Sequence, residues 1–232
     1  DVYKRQIDYT DFTKSFFKNI IRNHESEGVD FWWIDWQQHL TSNDTYGLSE
    51  TFWCNHIFFN DMVRKRTDRR PVIFHRWGGL GSHRYQIGFS GDALINFQTL
   101  GFQPYFTATA SNVGYGYWGH DLGGHAFTDE SIVNDPELVL RWIQFGVFTP
   151  IFRTHATNDA RIERRIWKFD NFPTMLEAVR LRYSLFPYLY TMARKAYDTG
   201  ISVCRPLYYE YPESEEAYVY ENEYFFGDDI LV

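Results

Sequence analysis

The stretch Gly28-Val29-Asp30-Phe31-Trp32-Trp33-Ile34-Asp35-Trp36-Gln37-Gln38 decides the reading of the fold. Val29, Phe31 and Trp33, with the run continuing to Ile34, make a short apolar strand, and Asp35 stands at its C-terminal edge. Just upstream, residues 11–27 carry Phe12, Phe16, Phe17, Ile20 and Ile21 at the spacing of an amphipathic helix. Gly28 supplies the stop. An acid closing an apolar strand is how α/β barrels place chemistry, because their active sites form at the C-terminal ends of the strands.

The alternation continues outward. Residues 50–66 read as a helix, and Pro71-Val72-Ile73-Phe74 starts another strand. Residues 102–109 and 114–119, rich in Gly and aromatics, read as loops and short strands. A helix follows over 136–147, with Pro136 in its first turn. Thr149–Arg153 reads as a strand, 173–198 as one long helix carrying Leu176, Val179, Leu185, Leu189 and Met192, and Ile201–Cys204 as extended chain. Strands alternating with helices predict βα units and a parallel sheet. No internal repeat or low-complexity linker interrupts them. The expected division is 1–211 for barrel and 212–232 for the barrel exit and the start of a β domain. The chain opens on Asp1 and closes on Asp-Asp-Ile-Leu-Val within a strand-like run, so both ends read as cut.

Composition narrows the function. Aromatic residues reach 20%, from 21 Phe, 17 Tyr and 8 Trp, which suits both sugar stacking and large cores. A formal net charge of −7 argues against a nucleic-acid partner. The one basic run, Arg64 to Arg70, is broken by Thr67 and Asp68 and reads as a solvated helix end. No segment is apolar enough to span a membrane. Cys54 and Cys204 are too few and too far apart for a disulfide framework.

Three acids follow apolar runs: Asp35, Asp92 in Gly88-Phe89-Ser90-Gly91-Asp92, and Asp121 in Trp118-Gly119-His120-Asp121-Leu122-Gly123-Gly124-His125. A lone acid in such a place is ordinarily a helix cap or a loop hydrogen-bonder. Three, each flanked by Trp, Phe, His or paired Gly, point to a polar pocket with aromatic walls. No His-Glu-x-x-His, Cys-x-x-Cys or phosphate-loop pattern is present, Gly78, Gly79 and Gly81 lack dinucleotide-site context, and Ser90 lacks the glycines of a nucleophile elbow. Neither a metal nor an organic cofactor is expected. His120 and His125 flank Asp121 in a way that ordinarily orients a loop; a metal-dependent hydrolase built on these three would be told apart by a chelator. Paired carboxylates suit glycoside hydrolysis, in which one attacks the anomeric carbon and the other protonates the leaving oxygen.

Seven segments, in order, resemble glycoside hydrolase family 31, the α-glucosidase and α-xylosidase family. The strand ending at Asp35 resembles the family's nucleophile strand. Pro71-Val-Ile-Phe-His-Arg-Trp-Gly-Gly79 resembles the next strand, and Ile87-Gly-Phe-Ser-Gly-Asp92 the acid/base segment. Tyr117 to His125 is similar to the Asp-Ile-Gly-Gly-Phe motif, and Pro150-Ile-Phe-Arg-Thr-His155 to Phe-Phe-Arg-Asn-His. Arg182 to Tyr190 with Cys204-Arg-Pro-Leu207, and Phe226-Gly-Asp-Asp-Ile-Leu-Val232, complete the set. The resemblance implies an α/β fold, roughly the second half of a (β/α)8 barrel running into a C-terminal β domain.

It also implies a retaining α-glycosidase acting on α-glucosides, with Asp35 as nucleophile and Asp92 as general acid/base. Arg76, Asp121 and His155 would bind the sugar, Arg153 would support the site, and Trp33, Trp36 and Phe89 would wall it. The partner is then a carbohydrate. An α-transglycosylase, an α-galactosidase or α-xylosidase, and a non-catalytic sugar-binding homologue are the alternatives. Two departures stand out. Trp36-Gln37-Gln38 replaces the family's Met-Asn-Glu after the nucleophile, and His125 stands where the family often has Phe. The family's first barrel strands lie upstream of this chain, so open sheet edges and an unfilled core are expected.

Overall fold

The computed structural model describes residues 10–35, 47–77 and 79–232. The chain divides into two units, Asp1–Gly88 and Phe89–Val232. In the first, α1 (Thr10–Phe16) passes through a π-helical stretch, Phe17–Ile21, into α2 (Arg22–Ser26). Gly28, at φ +111°, ends the run as the sequence predicts. Then come β1 (Trp32–Ile34), α3 (Glu50–Lys65) and β2 (Ile73–Arg76). Ser49 caps α3 by accepting the Phe52 N–H. Cys54, Phe58 and Met62, four residues apart, form a stripe that packs with Phe17, Ile21, Ile34 and Ile73. Strand β1 lies parallel to β2, with Trp32 opposite Ile73, Trp33 opposite Phe74 and Ile34 opposite His75. Both strands are shorter than the sequence suggests, beginning at Trp32 and Ile73.

Glu25 ties these elements together. It accepts from Arg22, from Arg66 at 3.1 Å and from the Trp32 indole at 3.3 Å, while Arg22 also reaches Asp61. Trp32 is thereby committed to the core.

The second unit follows from β3 (Ile87–Phe89). It contains α4 (Phe97–Thr109), β4 (Tyr117–Gly119), α5 (Pro136–Val147), α6 (Phe172–Ser184), α7 (Phe186–Thr199), β5 (Cys204–Pro206), α8 (Glu216–Val219), β6 (Tyr224–Phe226) and β7 (Ile230–Leu231). Beyond the strands, isolated parallel bridges join Leu94 to Ala126 and Leu122 to Thr154. The closing sheet is antiparallel, in the order β5-β6-β7. Parallel pairings with intervening helices, followed by an antiparallel sheet, match a partial (β/α)8 barrel running into a β domain. Among the described residues no helix is long and apolar enough to cross a membrane.

Three local expectations are corrected. Residues 102–109 are helical, within α4: Asn96 accepts the Thr99 N–H at 2.7 Å, and Gln103, Thr107 and Ala108 are buried, so capping and burial override Gly101 and Pro104. Thr149–Arg153 is not a regular strand; it is held by separate contacts such as Ile151 N–H to Trp118 O at 3.2 Å. The long helix over 173–198 breaks at Leu185, because Pro187 cannot continue α6 and instead occupies the first turn of α7.

Each unit buries one free cysteine, Cys54 in the first and Cys204 in the second. Burial pushes the Cys54 thiol up to about 12 and raises Cys204 as well.

His75 is fully buried at the end of β2. Its Nδ1–H donates to the Arg76 carbonyl at 2.6 Å, and Asn55 Nδ2 donates to the same oxygen at 3.1 Å. Burial pulls the imidazole down to about 4, so protonation favours the unfolded chain. The stability this neutral histidine confers is complete above about pH 6.5 and is lost as pH falls toward 4. Urea denaturation at pH 7 and pH 4.5 checks this. His75→Gln should shrink the loss between the two pH values by about 2–3 kcal/mol, whereas an unchanged loss would assign it to other groups.

Candidate active site

In the first unit the register of β1 on β2 does the positioning. Side chains alternate along a strand, so Trp32, Ile34 and Ile73 turn toward α3 while Trp33, Asp35, Phe74 and Arg76 share the opposite face. Asp35 and Arg76 each lie one residue beyond the Ile34–His75 pair. Arg76 Nε donates to Asp35 Oδ1 at 2.8 Å, with the carboxylate side chain 26% exposed. A charge-assisted bond of this length orients the carboxylate. Trp33 stays 41% exposed, its ring tilted against Phe74 at 5.9 Å. Carboxylate, guanidinium and open indole thus sit together. Trp36, Gln37 and Gln38 lie outside the described residues.

The second unit gathers Asp92, Asp121, His125, Arg153 and His155. Asp92 follows β3 on a turn in which Gly91 adopts φ +87°, and its side chain is 30% exposed. The loop after β4 is laced to that turn: His125 N–H donates to Ala93 O at 2.8 Å, and Ile95 N–H to Ala126 O at 2.8 Å. Leu122 N–H donates to Arg153 O at 3.1 Å and His155 N–H to Leu122 O at 3.4 Å. These main-chain bonds bring three chain segments to one place.

Asp121 is fully buried and paired with Arg153. His125 lies between two acids, with Nδ1 3.5 Å from Asp121 Oδ2 and Nε2 3.6 Å from Asp92 Oδ1. Its ring is 5.2 Å from that of His155. Ligand atoms of Asp121, His125 and His155 all lie within 4.8 Å of one another, the set among the described residues that could hold a metal ion.

Several placements differ from the sequence reading. Phe89 is fully buried, with the Arg153 guanidinium 5.3 Å from its ring centre. It supports Arg153 and offers no open face to a ligand. His120 turns away from Asp121's neighbours: its Nδ1 is 2.9 Å from Ser90 Oγ and its Nε2 2.6 Å from Thr107 Oγ1. Complete burial pulls it down to about 3, so it is a neutral clamp between α4 and the ends of β3 and β4.

Two residues carry more than the sequence disclosed. His125 is central to the cluster. Arg164 donates to Gly123 O at 2.7 Å and Gly124 O at 2.9 Å, pinning the loop that presents His125. The paired glycines were the visible signal; Arg164 was hidden in a charged run.

The model of the glycosyl hydrolases family 31 TIM-barrel domain matches residues 3–192, and that of the family's C-terminal domain residues 200–232. The chain is 34% identical to neutral alpha-glucosidase C of Mus musculus, covering 73% of the chain and 18% of that protein. It is 32% identical to the alpha-xylosidase of Saccharolobus solfataricus, covering 73% and 23%. The crystal structure of a family 31 alpha-xylosidase from a soil metagenome, complexed with xylose, superposes with a TM-score of 0.81 at 27% identity. That match covers 98% of this chain and 38% of the other. The chain therefore spans about a fifth of the length of the curated relatives it matches.

Gly124 has φ +81°, and a Cβ there would stand 2.9 Å from the Ile95 main chain. Gly124→Ala is expected to destabilise the protein by about 1–3 kcal/mol, because the loop bearing His125 must part from the loop bearing Asp92. Thermal denaturation tests it; an unchanged melting temperature would mean that the two loops are not locked together.

Proposed function

The chain belongs to glycosyl hydrolase family 31, and from that membership we propose that the full-length protein hydrolyses α-linked glycosides, α-glucosides foremost, with retention of configuration. The observation that carries the reading is Asp35, a solvent-accessible carboxylate at a strand's C-terminal end, oriented by Arg76 at 2.8 Å beside an exposed tryptophan. Asp35 attacks the anomeric carbon as Asp92 protonates the departing oxygen, giving a glycosyl-enzyme. Asp92 then takes a proton from water, which releases the sugar. The ring passes each time through a state resembling an oxocarbenium ion. His155 binds a hydroxyl of the reacting sugar, and buried Asp121, fixed by Arg153, holds that part of the site together. Trp33 supplies an apolar face for it. The names of relatives, α-glucosidase and α-xylosidase, support the substrate class.

In the full-length protein, Asp35→Ala should lower turnover of an aryl α-glucoside by roughly three orders of magnitude or more. Azide should partly restore cleavage of an activated substrate, yielding the β-glycosyl azide, since a small anion fills the gap left on that face. The α-azide, or undiminished turnover, refutes the assignment.

Trp36 begins the segment after the nucleophile and is proposed to select the sugar. Trp36→Met should change the ratios of kcat/KM among aryl α-glucosides, α-galactosides and α-xylosides while preserving retention. Equal losses on all three, with a lowered melting temperature, would give Trp36 a purely structural role.

A further inference from the structure

We propose that Asp121, His125 and His155 form a site for a borderline-soft divalent cation of the zinc class, and that this cation excludes the sugar from the pocket. The donor set is two imidazoles and one carboxylate, the ligand types zinc prefers. Bonds of about 2.0–2.1 Å to a tetrahedral ion set ligand atoms roughly 3.3–3.4 Å apart. His125 Nδ1 and Asp121 Oδ2 are 3.5 Å apart, longer than a good hydrogen bond but close to that edge. The third donor, from His155, falls within the same 4.8 Å.

The ligands are held before any ion arrives. Asp121 is clamped by Arg153 on its other oxygen. Main-chain bonds join Leu122 to Arg153 and His155, and His125 to Ala93. Thr157 N–H donates to His125 O at 2.9 Å, and Arg164 pins the intervening glycines. Asp92 stands 3.6 Å from His125 Nε2, on the ring edge away from Nδ1. Three protein ligands leave a fourth position to solvent.

Inhibition follows because His155, one of the three ligands, is proposed to hold a sugar hydroxyl; this half of the inference rests on the functional reading above. The cation is a competitor there, with no part in the chemistry.

The test uses the full-length protein and two probes, Co2+ for its visible absorption and Zn2+ for inhibition. Wild type should take up one equivalent of Co2+ with the spectrum of a site containing imidazole. His125→Phe and His155→Gln, each verified as folded by circular dichroism, should weaken uptake roughly 100-fold or more, beyond the 10–100-fold typical of losing an outer partner. Zn2+ should raise the KM for an aryl α-glucoside without lowering kcat, and a chelator should reverse it. Failure of wild type to bind Co2+, or uptake unaltered in both variants, overturns the site. Zn2+ inhibition that lowers kcat alone overturns its overlap with the sugar. A protein that binds Co2+ as described yet cleaves no glycoside upholds the site and sinks the functional reading instead.

Discussion

Parallel backbone pairing places residues from distant parts of the chain side by side, and the alternation of side chains makes its register decisive. In β1 and β2, one step of slip would drive Asp35 toward Phe58 and Met62 and turn Ile34 outward. The apolar stripe of α3 prevents this, because Ile34 and Ile73 have a buried destination only in the observed register. Asp35 and Arg76 are therefore brought together by what their neighbours must bury. The second unit uses the same device at the single bridges Leu94–Ala126 and Leu122–Thr154, where the polar side chains begin as the ladder ends.

Arginines supply the stiffness that such short strands lack. Arg164 serves Gly123 and Gly124. Arg182 donates to the carbonyls of Val147 and Pro150 at 2.8 and 2.7 Å, and buried Arg205 to Gly227 O and Glu210 at 2.9 Å. A planar guanidinium donates several bonds in fixed directions and so ties several carbonyls at once. Desolvation draws Arg164 down to about 10 and lowers Arg182, yet Arg164 remains charged at neutral pH. Their partners are mostly backbone oxygens, so the chain's irregular segments, rather than its helices, gain most from them.

The parts of this arrangement legible in the sequence were those written locally. An apolar run closing on Asp35, a glycine ending a helix at Gly28 and a proline opening α5 each declare themselves within a few residues. The α4 segment misled because Gly101, Pro104 and clustered aromatics look like loop, while the features that decide it, the Asn96 cap and burial of Thr107, are partly tertiary. Pro187 announces the break between α6 and α7, but the apolar spacing across it masks the signal. Arg164 was unreadable for a different reason, and His125 was visible only as a neighbour of Asp121: their roles come from carbonyls and carboxylates that approach only after folding. Phe89 shows the converse, an aromatic beside a catalytic candidate that proves to be packing.

The placement of one thiol in each unit gives the molecule a built-in clock for local opening. Cys54 and Cys204 are almost fully buried, and burial also holds both as unreactive protonated thiols. An alkylating reagent can reach either sulfur only while its surroundings are open, so the labelling rate of each cysteine counts openings of its own unit. Cys54 reports on the packing beneath Asp35, and Cys204 on the antiparallel sheet, where its Sγ faces the Phe148 carbonyl. Two labelling rates that differ would mark units that open independently, and a shared rate would mark one cooperative body.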